Sequence, residues 1–169
     1  DISAPRCFAI EAALDDALDI PIFHDDQHGT AVVTFAALIN AMRITERRLE
    51  EMTIVMNGAG AAGVAITRLL QDAGAGDIIL VDSKGIVSSD RADLTDIKRE
   101  MAACTNIEKR TGDLAAAMED AHVFIGVSVA NLVSHEMVRA MADEPVILAM
   151  ANPVPEIMPH IAREAGARI

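Results

Sequence analysis

Three groups of residues have the types and spacing to do chemistry. The first is Gly58-Ala59-Gly60-Ala61-Ala62-Gly63. Gly58 permits a tight turn, Gly60 lets the backbone approach a pyrophosphate, and Gly63 lets a helix pack closely on a strand. The N-terminus of the following helix would offer free N–H groups and a positive dipole end to the phosphates. Asp82 follows at a distance of about 20 residues, where an acidic side chain can accept hydrogen bonds from the adenosine ribose. Each feature alone has a plainer reading. The glycines could be a Gly-rich turn, and Asp82-Ser83-Lys84-Gly85 is also good turn chemistry. Together they point to dinucleotide binding.

The second group is Phe23-His24-Asp25-Asp26-Gln27-His28-Gly29-Thr30. Adjacent carboxylates beside two histidines suit a divalent-metal or acid–base site, and they suit a polar cap on a following helix equally well. Histidines would admit zinc, but carboxylates with few soft ligands favour Mg2+ or Mn2+. The third group is Met150-Ala151-Asn152-Pro153-Val154-Pro155-Glu156. An asparagine at the carboxyl end of a parallel strand lies where such sheets bind ligands. It could also cap its own turn. Chemistry alone leaves the second and third groups open.

These residues need elements to position them. Short β-branched runs alternate with Ala- and Leu-rich stretches, the pattern of a parallel sheet with helical crossovers. Strands are expected at 53–57, 78–81, 123–126 and 146–150, and Ile20–Phe23 reads as a further short extended run. Helices are expected at 29–42, 61–73, 94–101, 113–118, 135–141 and 155–165. The predicted fold class is α/β: a Rossmann-like, doubly wound, mostly parallel sheet with helices on both faces.

Composition narrows the partners. The chain has 169 residues, enough for one domain, and 51% are apolar with four Phe and no Trp or Tyr. Its core must therefore be aliphatic. A net charge of −12 disfavours nucleic acid, because phosphate binding needs clustered Lys and Arg. Two cysteines, Cys7 and Cys104, form no disulfide framework and suit a reducing compartment. No apolar run is long enough to span a bilayer, so the expected location is cytoplasmic. The chain starts at Asp1 without a methionine and reads as a partial chain.

At the same residues the sequence resembles bacterial-type malic enzymes. The blocks that carry the resemblance are Asp-Ile-Ser-Ala-Pro-Arg-Cys-Phe at the start, Phe-His-Asp-Asp-Gln-His-Gly-Thr, Asn-Gly-Ala-Gly-Ala-Ala-Gly, Val-Asp-Ser-Lys-Gly and Ala-Asn-Pro-Val-Pro-Glu-Ile. They stand in the family's order across the whole chain. The resemblance implies oxidative decarboxylation of malate to pyruvate with NAD or NADP and Mg2+ or Mn2+. It implies that residues 1–169 are the dinucleotide-binding domain, with residues 1–30 adding the metal and substrate edge. It also implies metal ligation by Asp1 and Asp26, and orientation of the catalytic lysine by Asp25. Residues Gly58, Ala59, Gly60, Ala61, Ala62 and Gly63 would hold the pyrophosphate, Asp82 the ribose, and Asn152 would lie near nicotinamide and substrate. A homodimer or higher homo-oligomer is implied as well.

The family's general acid is a tyrosine and its base a lysine, both in a preceding segment. This chain has no tyrosine, and its lysines, Lys84, Lys98 and Lys109, match neither role. The chain alone is therefore expected to be inactive. Asp82 favours NAD over NADP, since it repels a 2′-phosphate; Ser83 and Lys84 pull the other way. Two other readings stand beside this one. One is a different NAD-dependent dehydrogenase in which the aspartates cap a helix, and the other is a sensing domain that binds NAD without turnover.

Overall fold

The β-branched runs build one sheet. The computed structural model describes residues 2 and 4–169. In it β1 (Thr53–Asn57), β2 (Asp77–Asp82), β3 (Gly85–Ile86), β4 (Val123–Gly126) and β5 (Val146–Ala149) lie in the order β3-β2-β1-β4-β5. All pairs are parallel except β2 with β3. Asn57 faces Val81 on one side and Gly126 on the other, so β1 sits at the centre of the sheet. The chain leaves β1 for β2 on one flank and later returns to β4 on the other. The topological switch point therefore falls between β1 and β4.

Strand alternation sorts the core into two layers. Ile54, Met56, Ile78, Leu80, Val123 and Ile125 face one side, with Leu38 of α2 (Asp25–Thr45), Ile66 and Leu70 of α3 (Ala61–Asp72) and Met101 of α4 (Asp96–Cys104). Val55, Ile79, Val81 and Phe124 face the other, with α5 (Leu114–Met118), α6 (His135–Arg139) and α7 (Pro159–Ala165). A sheet covered on both faces reads as continuous apolar runs, and these strands do. The expected Rossmann-like α/β fold is the one observed.

Several elements differ from the sequence expectation. A helix α1 (Arg6–Ala17) was not expected; its apolar residues are spread around the cylinder, only Cys7 is buried, and Ile10 and Leu14 remain exposed. The run Ile20–Phe23 joins no strand. Helix α2 starts at Asp25, four residues before Gly29, and extends to Thr45. The last helix begins at Pro159 and not at Pro155, because Glu156 and Ile157 are drawn into the interior.

Candidate functional site

The carboxyl edge of the sheet gathers most of the residues singled out above. The turn after β1 starts at Gly58, whose φ of +122° lies in the region only glycine adopts easily. Its N–H donates to the Val81 carbonyl at 2.9 Å. A Cβ there would stand 3.0 Å from both the Val127 carbonyl oxygen and its side chain. At Gly63 a Cβ would fall 1.6 Å from the Gly58 carbonyl oxygen, so α3 can seat against the turn only with glycine there. Gly60 differs. A Cβ built on it meets no protein atom within 4 Å. Gly60 is the N-cap of α3, a 12-residue helix. The N–H groups of Ala61, Ala62 and Gly63 have no partner four residues back. Open space, backbone donors and a helix dipole thus converge where a pyrophosphate would lie, and this turn fits a dinucleotide.

Asp82 ends β2 one strand away. Its side chain is 6% exposed and fully engaged. Oδ1 accepts from the Lys84 N–H at 2.9 Å and Arg91 Nη1 at 2.8 Å, and Oδ2 accepts from Arg91 Nη2 at 3.2 Å and Lys98 Nζ at 2.5 Å. Burial pushes this carboxyl up, but the hydrogen bonds from Arg91, Lys98 and the Lys84 backbone outweigh it and hold it at about 2. Arg91 also grips Asp93, and Lys84 pairs with Asp93 at 2.8 Å. These hydrogen bonds, with smaller help from the neighbouring charges, hold the Asp93 carboxyl well below its usual range. Three cations thus surround two carboxylates. Sequence alone did not single out Arg91 and Lys98 as partners of Asp82, since they lie 9 and 16 residues beyond it.

The histidine–aspartate block opens α2. His24 takes the N-cap position without a side-chain cap bond, and Asp25 and Asp26 fall in the first turn, where the helix dipole favours anions. The helix-cap alternative therefore does not describe the aspartates' side chains. Asp25 folds back over Gly29, where a Cβ would come within 2.0 Å of its Oδ1. Asp26 is exposed and has no ion pair among the described residues. The C-terminus of α2 leads into β1, so its N-terminus points to the carboxyl edge; Thr34 Oγ1 packs 3.6 Å from Met150 Sδ there.

Both histidines of the block are tied to α1 through Glu11. Its carboxylate accepts from the His24 N–H at 3.1 Å and Gln27 Nε2 at 2.9 Å, and lies 2.8 Å from His28 Nε2. Gln27 Nε2 also donates to His24 Nδ1 at 3.1 Å. Glu11 escaped the sequence analysis because α1 did. Among the described residues no cluster of three His, Cys, Asp or Glu could hold a metal ion. Asp26 is one exposed carboxylate able to share in such a site, and Asp1 lies outside the described residues.

Asn152 follows β5, exposed at the same edge. A concavity of about 560 Å³ lies elsewhere, between α1, α2 and α3, lined by Phe8, Glu11, His28 and Arg68 among others. It has none of the backbone donors of the glycine turn, so the crevice over β1 and β4 is the better ligand site.

The profile of the malic enzyme NAD-binding domain matches residues 27–162. The chain belongs to the malic enzyme family. It is 51% identical over its whole length to the bifunctional malic/malolactic enzyme of Bacillus subtilis, covering 42% of that enzyme. It is 49% identical to the NADP-dependent malic enzyme of Halomonas elongata over 97% of this chain and 38% of that protein. The crystal structure of the NAD-dependent malic enzyme of Thermotoga maritima superposes with a TM-score of 0.97 at 48% identity, over 100% of this chain and 45% of that one. The chain thus spans between about a fifth and two-fifths of the length of the curated relatives it matches.

Proposed function

We propose that this chain is the dinucleotide-binding domain of an enzyme that oxidises malate with NAD(P) and releases carbon dioxide to leave pyruvate. The carrying observation is the open Gly60 turn at the N-terminus of α3, on the sheet edge that Asn152 follows from β5. The glycine turn binds the pyrophosphate. Asn152, beyond β5, stands on the nicotinamide side of the switch point. When bound, the nicotinamide would supply a hydride acceptor for malate's C2 hydrogen, with the hydroxyl proton going to a base. Loss of carbon dioxide then leaves an enolate, which an acid protonates at carbon. Asp26 would be one carboxylate of a divalent-cation site, Mg2+ or Mn2+, whose ion supplies Lewis-acid polarisation of the keto oxygen when bound. Asp25 orients the base. By resemblance to malic enzymes, whose acid is a tyrosine and base a lysine, both groups would come from the rest of the enzyme: this chain has no tyrosine, and its Lys84 and Lys98 are ion-paired around Asp82 and Asp93.

The cofactor choice follows from the Asp82 cluster. The sequence argument for NAD treats Asp82 as a free anion. With Arg91 and Lys98 on its oxygens and Lys84 beside Asp93, the local balance is cationic, and repulsion of a 2′-phosphate is cancelled. We therefore propose that NADP is accepted at least as well as NAD. Calorimetric titration of the chain with each cofactor tests both statements. The expected result is binding of both, with Lys84→Ala weakening NADP severalfold and NAD little. No binding of either would overturn the functional reading; NAD binding tenfold or more tighter than NADP would overturn the cofactor assignment alone.

A further inference from the structure

Glu156 is 0% exposed, yet it pairs with no cation among the described residues. Its carboxylate accepts backbone donors from two different loops. Oε1 accepts the Ser128 N–H at 2.9 Å and lies 3.4 Å from Ser128 Oγ; Oε2 accepts the Ala151 N–H at 3.1 Å. Ser128 Oγ in turn accepts from Asn57 Nδ2 at 2.7 Å. Asn57 is the buried last residue of β1, directly before Gly58. The backbone also joins the loops: Asn131 N–H donates to the Pro155 carbonyl and Val133 N–H to that of Glu156, both at 3.0 Å. Gly126 makes room for the carboxylate, since a Cβ there would come within 2.4 Å of its carbon.

A buried polar chain therefore runs Asn57–Ser128–Glu156–Ala151 across the switch point, from the glycine turn to the residue before Asn152. Burying a carboxylate without a cation is costly, and an apolar side chain would fill the same volume more cheaply. What a carboxylate alone supplies is an acceptor on each of two oxygens, facing a backbone N–H from each loop. The loops after β4 and β5 form the half of the crevice that holds the nicotinamide end of a dinucleotide, whereas the adenosine end lies over β1 and β2.

We propose that Glu156 is a positioning residue that sets the nicotinamide wall of the crevice, fixing the Ser128 loop and Asn152 in register without touching the cofactor. This rests on the functional reading above. Glu156→Gln keeps the volume but turns an amide NH2 toward one of the two N–H donors. That loop loses its anchor while the adenosine half keeps its own. The test compares NAD with ADP-ribose, which lacks the nicotinamide, by calorimetry on the parent chain and on Glu156→Gln, with thermal melting as a folding control. ADP-ribose affinity should stay within twofold, while NAD affinity falls about tenfold, the worth of one buried hydrogen bond. In the full-length enzyme kcat should fall more than the KM for malate rises. Ser128→Ala cuts only the hydroxyl link and should show a smaller loss of the same kind, which serves if Glu156→Gln melts too low. Equal loss of NAD and ADP-ribose binding in a folded variant, or no loss of either, would overturn the proposal. A parent chain that binds neither ligand would sink the functional reading and the proposal with it.

Discussion

Asp25 and Asp82 are both aspartates flanking polar residues, and their surroundings give them different work. Asp82 is consumed by Arg91, Lys98 and the Lys84 N–H, so what it presents to a ligand is the cluster and not a free carboxylate. Asp25 is held by an absence: it occupies the space that any side chain at Gly29 would need. Glycine inside a helix costs about 1 kcal/mol relative to alanine, so Gly29 weakens α2 to seat Asp25. Gly29→Ala should therefore leave the melting temperature unchanged or raise it, since the exposed Asp25 side chain can swing aside. It should also displace the carboxylate proposed to orient the base, lowering kcat of the full-length enzyme by about tenfold or more. Parental activity in a Gly29→Ala enzyme would show that the position of Asp25 is immaterial. The sequence exposes Asp25 and Gly29 as part of one block. It does not expose their contact, which depends on α2 beginning at Asp25 and bringing residues four apart onto one face.

At the scale of elements, the β1 turn and α3 act as one piece, and the three glycines divide its tasks. Gly63 serves packing, and Gly60 leaves open the space proposed for the ligand. Gly63→Ala would drive a Cβ into the Gly58 carbonyl, a backbone atom that cannot swing away. It should destabilise the domain by about 3 kcal/mol through overpacking, lowering the denaturant midpoint. Gly60→Val should leave the far-ultraviolet dichroism and midpoint close to those of the parent while abolishing dinucleotide binding, because its side chain would fill the phosphate's space. A Gly60→Val chain that binds as well as the parent would show that the phosphate does not approach there. The strands and α3 were legible because buried parallel strands and a glycine turn carry strong local signals. Helix α1 and strand β3 were not, for different reasons. The first spreads its apolar residues over all faces, and the second is only two residues long. The Glu156 chain was illegible for a third reason. Its donors are backbone N–H groups, and only Gly126 hints that something lies against the strand end.

At the scale of the whole molecule, the proposed function has the domain bind and position the dinucleotide while the reacting protons are moved elsewhere in the enzyme. The chain's share of the proposed metal site is small: Asp26 is exposed, and no cluster of three ligands forms among the described residues. A hard cation needs about six oxygens, so Asp26 with water alone would bind it weakly. Malate turnover further needs an acid and a base beside the substrate. The chain has no tyrosine, and two of its three lysines are held in ion pairs with Asp93 and Asp82. The chain should therefore bind dinucleotide yet give no malate-dependent reduction of NAD or NADP with added Mn2+, whereas the full-length enzyme should turn over. In that enzyme Asp26→Asn preserves volume and removes the anionic ligand. The concentration of Mn2+ needed for half-maximal rate should then rise by about tenfold or more, with kcat falling alongside, while dinucleotide affinity of the isolated chain is unchanged. Turnover by the chain itself would refute this division of labour, and an Asp26→Asn enzyme with parental Mn2+ dependence would refute the metal assignment while leaving the dinucleotide site intact.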